Sequence, residues 1–180
     1  MNHQGTVVLH TERLVLRPFC LSDAADMFSN WASDPEVTKF LTWPTHKSVQ
    51  VTEYVLNDWI PHYIEPDYYH WAITLNDRPI GSMAVVQHDD AVGKAHIGYC
   101  IGRQWWHQGI VSEALQRVIN FLFDEVGYQR IEARHDPRNP HSGGVMKKCG
   151  MKYEGTLRQS DWNNQGVCDA CWYAILKSER

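Results

Sequence analysis

His96-Ile97-Gly98-Tyr99-Cys100-Ile101-Gly102, continued after two residues by Trp105-Trp106-His107-Gln108-Gly109-Ile110-Val111-Ser112-Glu113-Ala114-Leu115, joins a strand to a helix through a short loop. Ala95–Ile101 has the length and the apolar content of a strand. From Gly109 to about Glu125, Val111, Leu115, Val118 and Leu122 recur at helical spacing, and Ala114 and Ile119 widen the stripe. Gln116, Arg117, Asn120 and Asp124 fall mostly outside it, and Gly127 stands where a helix would end. A helix beginning at Gly109 gathers unpaired N–H groups and the positive end of its dipole there. Glycine lets a ligand approach the backbone closely, so the turn Gln108-Gly109-Ile110-Val111 is able to hold a phosphate. Glycine before a helix is also ordinary punctuation, so the turn alone names no ligand.

Upstream, Tyr69–Leu75 and Ile80–Gln87 flank Asn76-Asp77-Arg78-Pro79, which reads as a hairpin connection, and a second turn near Asp89-Asp90 leads into Ala95–Ile101. Nearer the start, Leu14-Val15-Leu16-Arg17-Pro18 reads as a strand closed by proline. Ser22 and Asp23 are expected to cap a helix that turns Ala24, Met27, Phe28 and Trp31 inward. Asp34-Pro35 repeats the start signal, and a helix after Ser48 carries Val51, Val55, Leu56 and Trp59 until Pro61 limits it. Downstream, Arg130–His135 reads as a strand and Ser142–Cys149 as a short helix. Met151–Leu157 and Val167–Leu176 read as strands around the tip Asn163-Asn164-Gln165-Gly166. The fold class is one α+β domain, with a mostly antiparallel sheet and a strand–loop–helix unit at its middle.

A chain of 180 residues with 43% hydrophobic and 21% charged residues can bury a core without staples. Its eight tryptophans serve core packing, and such rings also line clefts. A net charge of −4 argues against nucleic acid as a partner. Five unclustered cysteines suit a reducing compartment better than a disulfide framework. The start, Met1-Asn2-His3-Gln4-Gly5, lacks the basic and apolar regions of a secretory signal, and no apolar run approaches the roughly 20 residues of a membrane helix. A cytoplasmic protein with no membrane partner is expected. Cys168 and Cys171 have C-x-x-C spacing on one expected strand, where positions three apart face opposite ways, so no metal site is expected there.

Taken together, the quoted stretch resembles the acetyl-CoA-binding motif of the GNAT N-acetyltransferase superfamily. It is most similar to the RimJ/RimL-like branch, which contains the ribosomal-protein N-terminal acetyltransferases. Thr11-Glu12-Arg13-Leu14-Val15-Leu16-Arg17-Pro18 is similar to that branch's usual start. The resemblance continues through Arg130-Ile131-Glu132-Ala133-Arg134, Asp136-Pro137-Arg138-Asn139-Pro140-His141-Ser142, Val145-Met146-Lys147-Lys148-Cys149-Gly150-Met151 and Tyr153-Glu154-Gly155-Thr156-Leu157-Arg158. Two positions depart from the pattern: Trp106 replaces the usual Arg or Gln, and Val111 replaces the usual Gly or Ala. Val111 is expected to crowd the ligand. The resemblance implies a twisted sheet that splays after the Ala95–Ile101 strand, forming the slot for the cofactor.

The resemblance implies transfer of acetyl from acetyl-CoA to a primary amine by direct attack, without a covalent enzyme intermediate or a metal. The cofactor would lie along Tyr99, Cys100 and Ile101, on the turn Gln108, Gly109, Ile110, Val111 and Ser112, and against Asn139 and Ser142. Ser142 would protonate or hydrogen-bond the leaving thiolate, although a serine opening a helix is equally an N-cap. Asp161 falls where the branch can carry an acidic base, and a turn aspartate capping the Trp162-Asn163 loop is the plain alternative. Glu113, in the first helical turn, is a dipole partner and not a catalyst. Arg103, Lys147 and Lys148 could meet the charges of CoA or simply face solvent, and His107 receives no proton-transfer role. The acceptor wall would draw on Trp31, Trp43, Tyr68, Tyr69 and Trp162. The acceptor is a protein N-terminus or a small amine, including a xenobiotic or antibiotic amine, and a homodimer is compatible with the sequence. A non-catalytic acyl-CoA-binding module is the reading from another class.

Overall fold

The computed structural model describes residues 1–180. In chain order its elements are β1 (Leu9–His10), β2 (Val15–Arg17), α1 (Ala24–Met27), α2 (Pro35–Thr38), α3 (Val49–Trp59), β3 (His70–Leu75), β4 (Arg78–Asp89), β5 (Lys94–Ile101), α4 (Ile110–Phe121), β6 (Arg130–His135), α5 (Pro140–Lys148), β7 (Lys152–Asn163) and β8 (Gly166–Leu176). The strands form one sheet in the order β1-β2-β3-β4-β5-β6-β8-β7. Every neighbouring pair is antiparallel except β5 with β6.

Short turns set the registers. Asn76 and Asp77, with φ of 50° and 63°, make a two-residue turn whose twist suits the adjoining strands, so Arg78 and Pro79 already belong to β4. At the other end of the sheet Asn163 pairs with Gly166, leaving Asn164 and Gln165 as the tip. This tip docks on the far layer: the Asn164 amide donates to the Thr38 and Trp43 carbonyls, each at 2.8 Å. The β7–β8 hairpin and the α2–α3 loop are thereby joined across one face of the sheet.

Alternation within the strands sends side chains into two cores. Ala95, Ile97, Ile131 and Ala133 join Leu115, Val118, Ile119 and Phe121 of α4 in the larger one, while Ala72 faces the smaller one with Phe19, Met27, Trp31 and Leu56. The α4 stripe is therefore the one expected, although its last turn, Leu122–Val126, widens into a π-helical form before Gly127 closes it. No helix is long and apolar enough to cross a membrane.

Several local expectations are corrected. Asp23 is the N-cap residue of α1, but its side chain does not cap that helix; it reaches back across the 3-10 turn Leu21–Asp23 and accepts from the Cys20 N–H at 2.9 Å, and Ser22 lies within the turn. Asp23 is buried because it also receives two hydrogen bonds from Arg17, each 2.8 Å. In α3 the inward positions are Thr52 and Leu56, while Val51 is exposed. Thr52 turns inward because its hydroxyl meets His46 Nδ1 at 2.8 Å. Trp31 and Tyr69 are fully buried core residues and not acceptor walls.

Leu115 has no exposed surface at the centre of the larger core. Leu115→Ala is expected to lower stability by about 2–5 kcal/mol, read as a shifted midpoint in urea unfolding.

Candidate active site

The cleft originates in a disagreement between two strands. Parallel pairing of β5 with β6 covers only Lys94↔Arg130, Ala95↔Ile131 and His96↔Glu132. Both strands continue beyond this point. β5 keeps its partner β4 as far as Ile101, and β6 keeps β8 as far as His135. The splay thus opens inside β5, after His96, and not after the whole strand as expected. Residues 97–101 present a backbone edge with no strand on the β6 side, and such groups need a partner.

Tyr99 and Ser142 face one another across the opening. The Tyr99 hydroxyl donates to the Ser142 carbonyl at 3.0 Å and lies 3.2 Å from Ser142 Oγ. Burial pushes the Tyr99 phenol above its ordinary range, so it stays protonated. Cys100, next along, points to the opposite face against the smaller core; burial pushes its thiol up to about 12, which leaves it un-ionised. Ile101 is buried.

Ser142 does not open its helix. Asn139 is the N-cap residue, Pro140 occupies the first helical turn, and Ser142 stands within it. The N-cap explanation of Ser142 is therefore removed. The Asn139 side chain does not cap the helix either, which leaves its amide available beside the cleft. Asp136 fixes this corner. Its carboxylate accepts from Arg138 Nη2 at 2.6 Å, from the Arg138 N–H at 2.8 Å and from Asn163 Nδ2 at 2.8 Å. These bonds, with Arg138 first, hold the Asp136 carboxyl far below its ordinary value. Helix α5 lies close on β6, since a Cβ at Gly143 would come within 2.5 Å of His135 Nε2.

At the other side of the opening, Gly109 adopts φ +73° as the N-cap of α4, a left-handed conformation suited to glycine. The N–H groups of Ile110, Val111 and Ser112 have no acceptor within the helix, and Gly109 offers no side chain to satisfy them. Two cations flank the turn. A Cβ on Gly109 would lie 3.4 Å from Lys148 Nζ and 3.8 Å from Arg13 Nη2. Arg13 is aimed there by Glu113 Oε2, at 2.7 Å, and by the Gln108 carbonyl, at 3.1 Å. Burial alone would raise the Glu113 carboxyl, but bonds from Thr11 and Arg13 outweigh it and lower the net value. Glu113 accordingly orients Arg13. Arg13 was not legible as a site residue, because its contact to the turn joins distant parts of the chain.

The remaining expectations sort by contact. Arg103 pairs with Asp34 at 3.0 Å, and Lys147 lies over the Tyr173 ring, so neither serves the turn. Trp106 folds back to donate from Nε1 to the Ile101 carbonyl at 3.0 Å, closing the end of β5. Val111 packs against the larger core, so its side chain does not crowd the turn. His107 is exposed to solvent, its ring edge-on to the exposed His141 with centroids 4.7 Å apart. Trp43 lines a recess of about 230 Å³ with Met27, His46, Tyr54, Asp58 and Trp59, Tyr68 hydrogen-bonds His70 at 3.1 Å, and Trp162 is exposed.

Asp161 lies within β7, opposite Cys168, and not beyond a strand ending at Arg158. It is bound by Arg134 through Nε at 2.5 Å and Nη2 at 3.1 Å. Burial pushes its carboxyl upward, but the Arg134 bonds, the Trp162 N–H and the Arg134 charge leave it below the ordinary range. Arg134 Nη1 also lies 3.2 Å from His96 Nε2. Burial and the Arg134 charge lower the His96 imidazole to about 4, so it is neutral at pH 7. Its Nδ1 and the neighbouring Trp172 Nε1 are buried without partners. Asp161, Arg134 and His96 thus form a chain of contacts on the face opposite Tyr99 and Ser142, and Asp161 does not touch Ser142.

Comparison with known proteins agrees with this geometry. Residues 13–152 match the family model described as the acetyltransferase (GNAT) domain. The uncharacterised N-acetyltransferase p20 of Bacillus licheniformis is 32% identical over 173 residues, spanning 95% of this chain and 97% of that one. A GNAT-family acetyltransferase structure from Bacillus anthracis has a TM-score of 0.83 at 24% identity, covering 96% of this chain and 99% of that one. The structure of RimL, a ribosomal L7/L12 α-N-protein acetyltransferase in complex with coenzyme A, has a TM-score of 0.84 at 19% identity, covering 94% and 98%. At these identities the two structures speak for the fold.

Because folding depresses the Asp136 carboxyl, its stabilisation is complete above the unfolded value near pH 4 and is lost as pH falls towards the folded one. The stability gap between the wild-type protein and Asp136→Asn should be full at pH 6 and narrow steadily below about pH 4, measured by urea unfolding at each pH.

Proposed function

Because this chain belongs to the GNAT acetyltransferase family, we propose that it transfers acetyl from acetyl-CoA to the α-amine of a protein N-terminus. The observation that carries this reading is the alignment of an opened β5–β6 edge with a glycine turn flanked by Arg13 and Lys148. The fit to the cofactor is physical. Two cations and three helical N–H groups suit a pyrophosphate, and the unpaired edge of residues 97–101 suits an extended amide-bearing arm. Gln108, Gly109, Ile110, Val111 and Ser112 would hold the phosphates, and Tyr99, Cys100, Ile101 and Asn139 the arm. The bound cofactor supplies an activated thioester.

The chain's own groups then have three tasks. Edge N–H groups near Tyr99 to Ile101 polarise the carbonyl under attack. Ser142, backed by the protonated Tyr99 hydroxyl, delivers a proton to the departing sulfur. Asp161 stays ionised through the neutral range, favours approach of the ammonium and receives its proton through water. Arg134 makes it a weak base. Free α-amines titrate near about pH 8, so a weak base suffices. None of these tasks requires a metal.

The protein acceptor is supported by the likeness in sequence to the putative ribosomal N-acetyltransferase YdaF of Bacillus subtilis, 25% identical over 71% of this chain. The aromatic recess at Trp43, with Asp58 at its rim, favours instead a small cationic amine. In either case the reading places the protein in the cytoplasm.

Calorimetry should show acetyl-CoA binding, weakened roughly 10–100-fold by Arg13→Ala or Lys148→Ala through loss of a charged hydrogen bond. Ser142→Ala should reduce kcat at least ~100-fold while changing cofactor affinity little, in a thiol-release assay over N-terminal peptides and small amines. Tight binding without turnover on any amine would favour a non-catalytic acyl-CoA-binding module.

A further inference from the structure

Far along the sheet from the cleft, at the turn joining β4 to β5, the N-terminal segment brings His3 against His88 and Asp90. His3 Nε2 lies 2.8 Å from Asp90 Oδ2, and His88 Nδ1 lies 3.1 Å from Asp90 Oδ1. One donor atom from each of the three residues falls within 4.8 Å of the others. Bonds of about 2.0–2.2 Å to a tetrahedral zinc ion place its donors ~3.3 Å apart. The Asp90 carboxylate lies near that distance from each imidazole, through Oδ2 for His3 and Oδ1 for His88, so a modest turn of carboxylate and rings brings one atom of each residue onto a common ion.

A second observation is independent of the first. In metal sites a ligating imidazole has its other nitrogen held by an oxygen, which fixes tautomer and ring orientation. His3 meets this condition. His3 Nδ1 lies 2.9 Å from the Tyr69 hydroxyl, while His88 Nε2 faces the Asp67 carboxylate at 3.7 Å, a charge contact beyond hydrogen-bond reach. Each ring thus points its remaining nitrogen at the same carboxylate, Asp90. The backbone is held as well: the Asn2 N–H donates to the Val126 carbonyl at 2.8 Å, the Gly5 N–H donates to the Pro66 carbonyl at 2.6 Å, and Asp89 Oδ1 caps the Ala91 and Val92 N–H groups. The Tyr128 ring closes one side, 6.1 Å from His3 and 6.4 Å from His88, and Asp90 keeps the other side open to water.

We propose that His3, His88 and Asp90 form a three-ligand site for a divalent transition ion of the zinc class, with water in the fourth position, and that the ion fastens the N-terminal segment to the β4–β5 turn. Two nitrogen donors and one carboxylate favour zinc-like ions over magnesium or calcium, which take oxygen donors. The proposal does not depend on the acetyl-transfer reading.

The test is calorimetry with zinc chloride on the full chain, stripped with chelator and kept reduced. One ion per chain and a rise in Tm are expected, with no response to magnesium. His3→Ala, His88→Ala and Asp90→Asn should each weaken binding at least ~10-fold. His62→Ala, a surface histidine paired with Glu65, should leave binding unchanged. Circular dichroism checks that the variants fold. If one does not, the cobalt-loaded wild-type protein decides, through a spectrum of nitrogen and oxygen ligands without thiolate bands. Absence of stoichiometric binding, binding that survives both His3→Ala and Asp90→Asn, or thiolate bands would overturn the proposal.

Discussion

The parallel contact between β5 and β6 ends after three residue pairs, and the rest of the site depends on that ending. A strand edge stripped of its partner is costly unless something else satisfies its N–H and C=O groups. The fold tolerates the opening because each strand remains fully paired on its outer side, β5 by β4 and β6 by β8. Two half-sheets, each supported by its own core packing, diverge around a wedge. Helices α4 and α5 then deliver their N-terminal ends to the wedge, and the Gly109 turn and Ser142 arrive on opposite banks.

Much of this arrangement was legible in the sequence, for local reasons. The α4 stripe, the Asn76-Asp77 turn and the bounds of Arg130–His135 follow from periodicity and turn chemistry, which are short-range. The start of α5 was also readable: Pro140 at the first turn signals a cap at Asn139. A helix expected from Ser142 therefore starts two residues too late. What was not legible is long-range. No spacing rule connects Arg13 with Gly109, or Arg134 with Asp161. The inward turn of Thr52 in place of Val51 likewise depends on a hydroxyl finding His46.

The sheet face opposite Tyr99 gathers polar groups that a sheet ordinarily avoids. Arg134 is shared between Asp161 and His96 and also lies over the Trp172 ring. The His96 and Trp172 nitrogens left without partners are an energetic cost. The docking of Asn164 on the α2–α3 loop sets the far boundary of this face. Ser142 and Asp161 thus stand on different faces of one sheet, with the opening between β5 and β6 lying between them.

Arg13, Gly109 and Lys148 converge on one turn from early, middle and late parts of the chain. Contacts of such sequence separation form only when most of the sheet is in place, because closure of long loops precedes any gain from them. This turn with its two cations is therefore absent from partly folded chains. A ligand with no affinity for those states acts on the global unfolding equilibrium and not on local fraying. A cell rich in the cofactor would hold this protein in its native state more firmly than its own packing does.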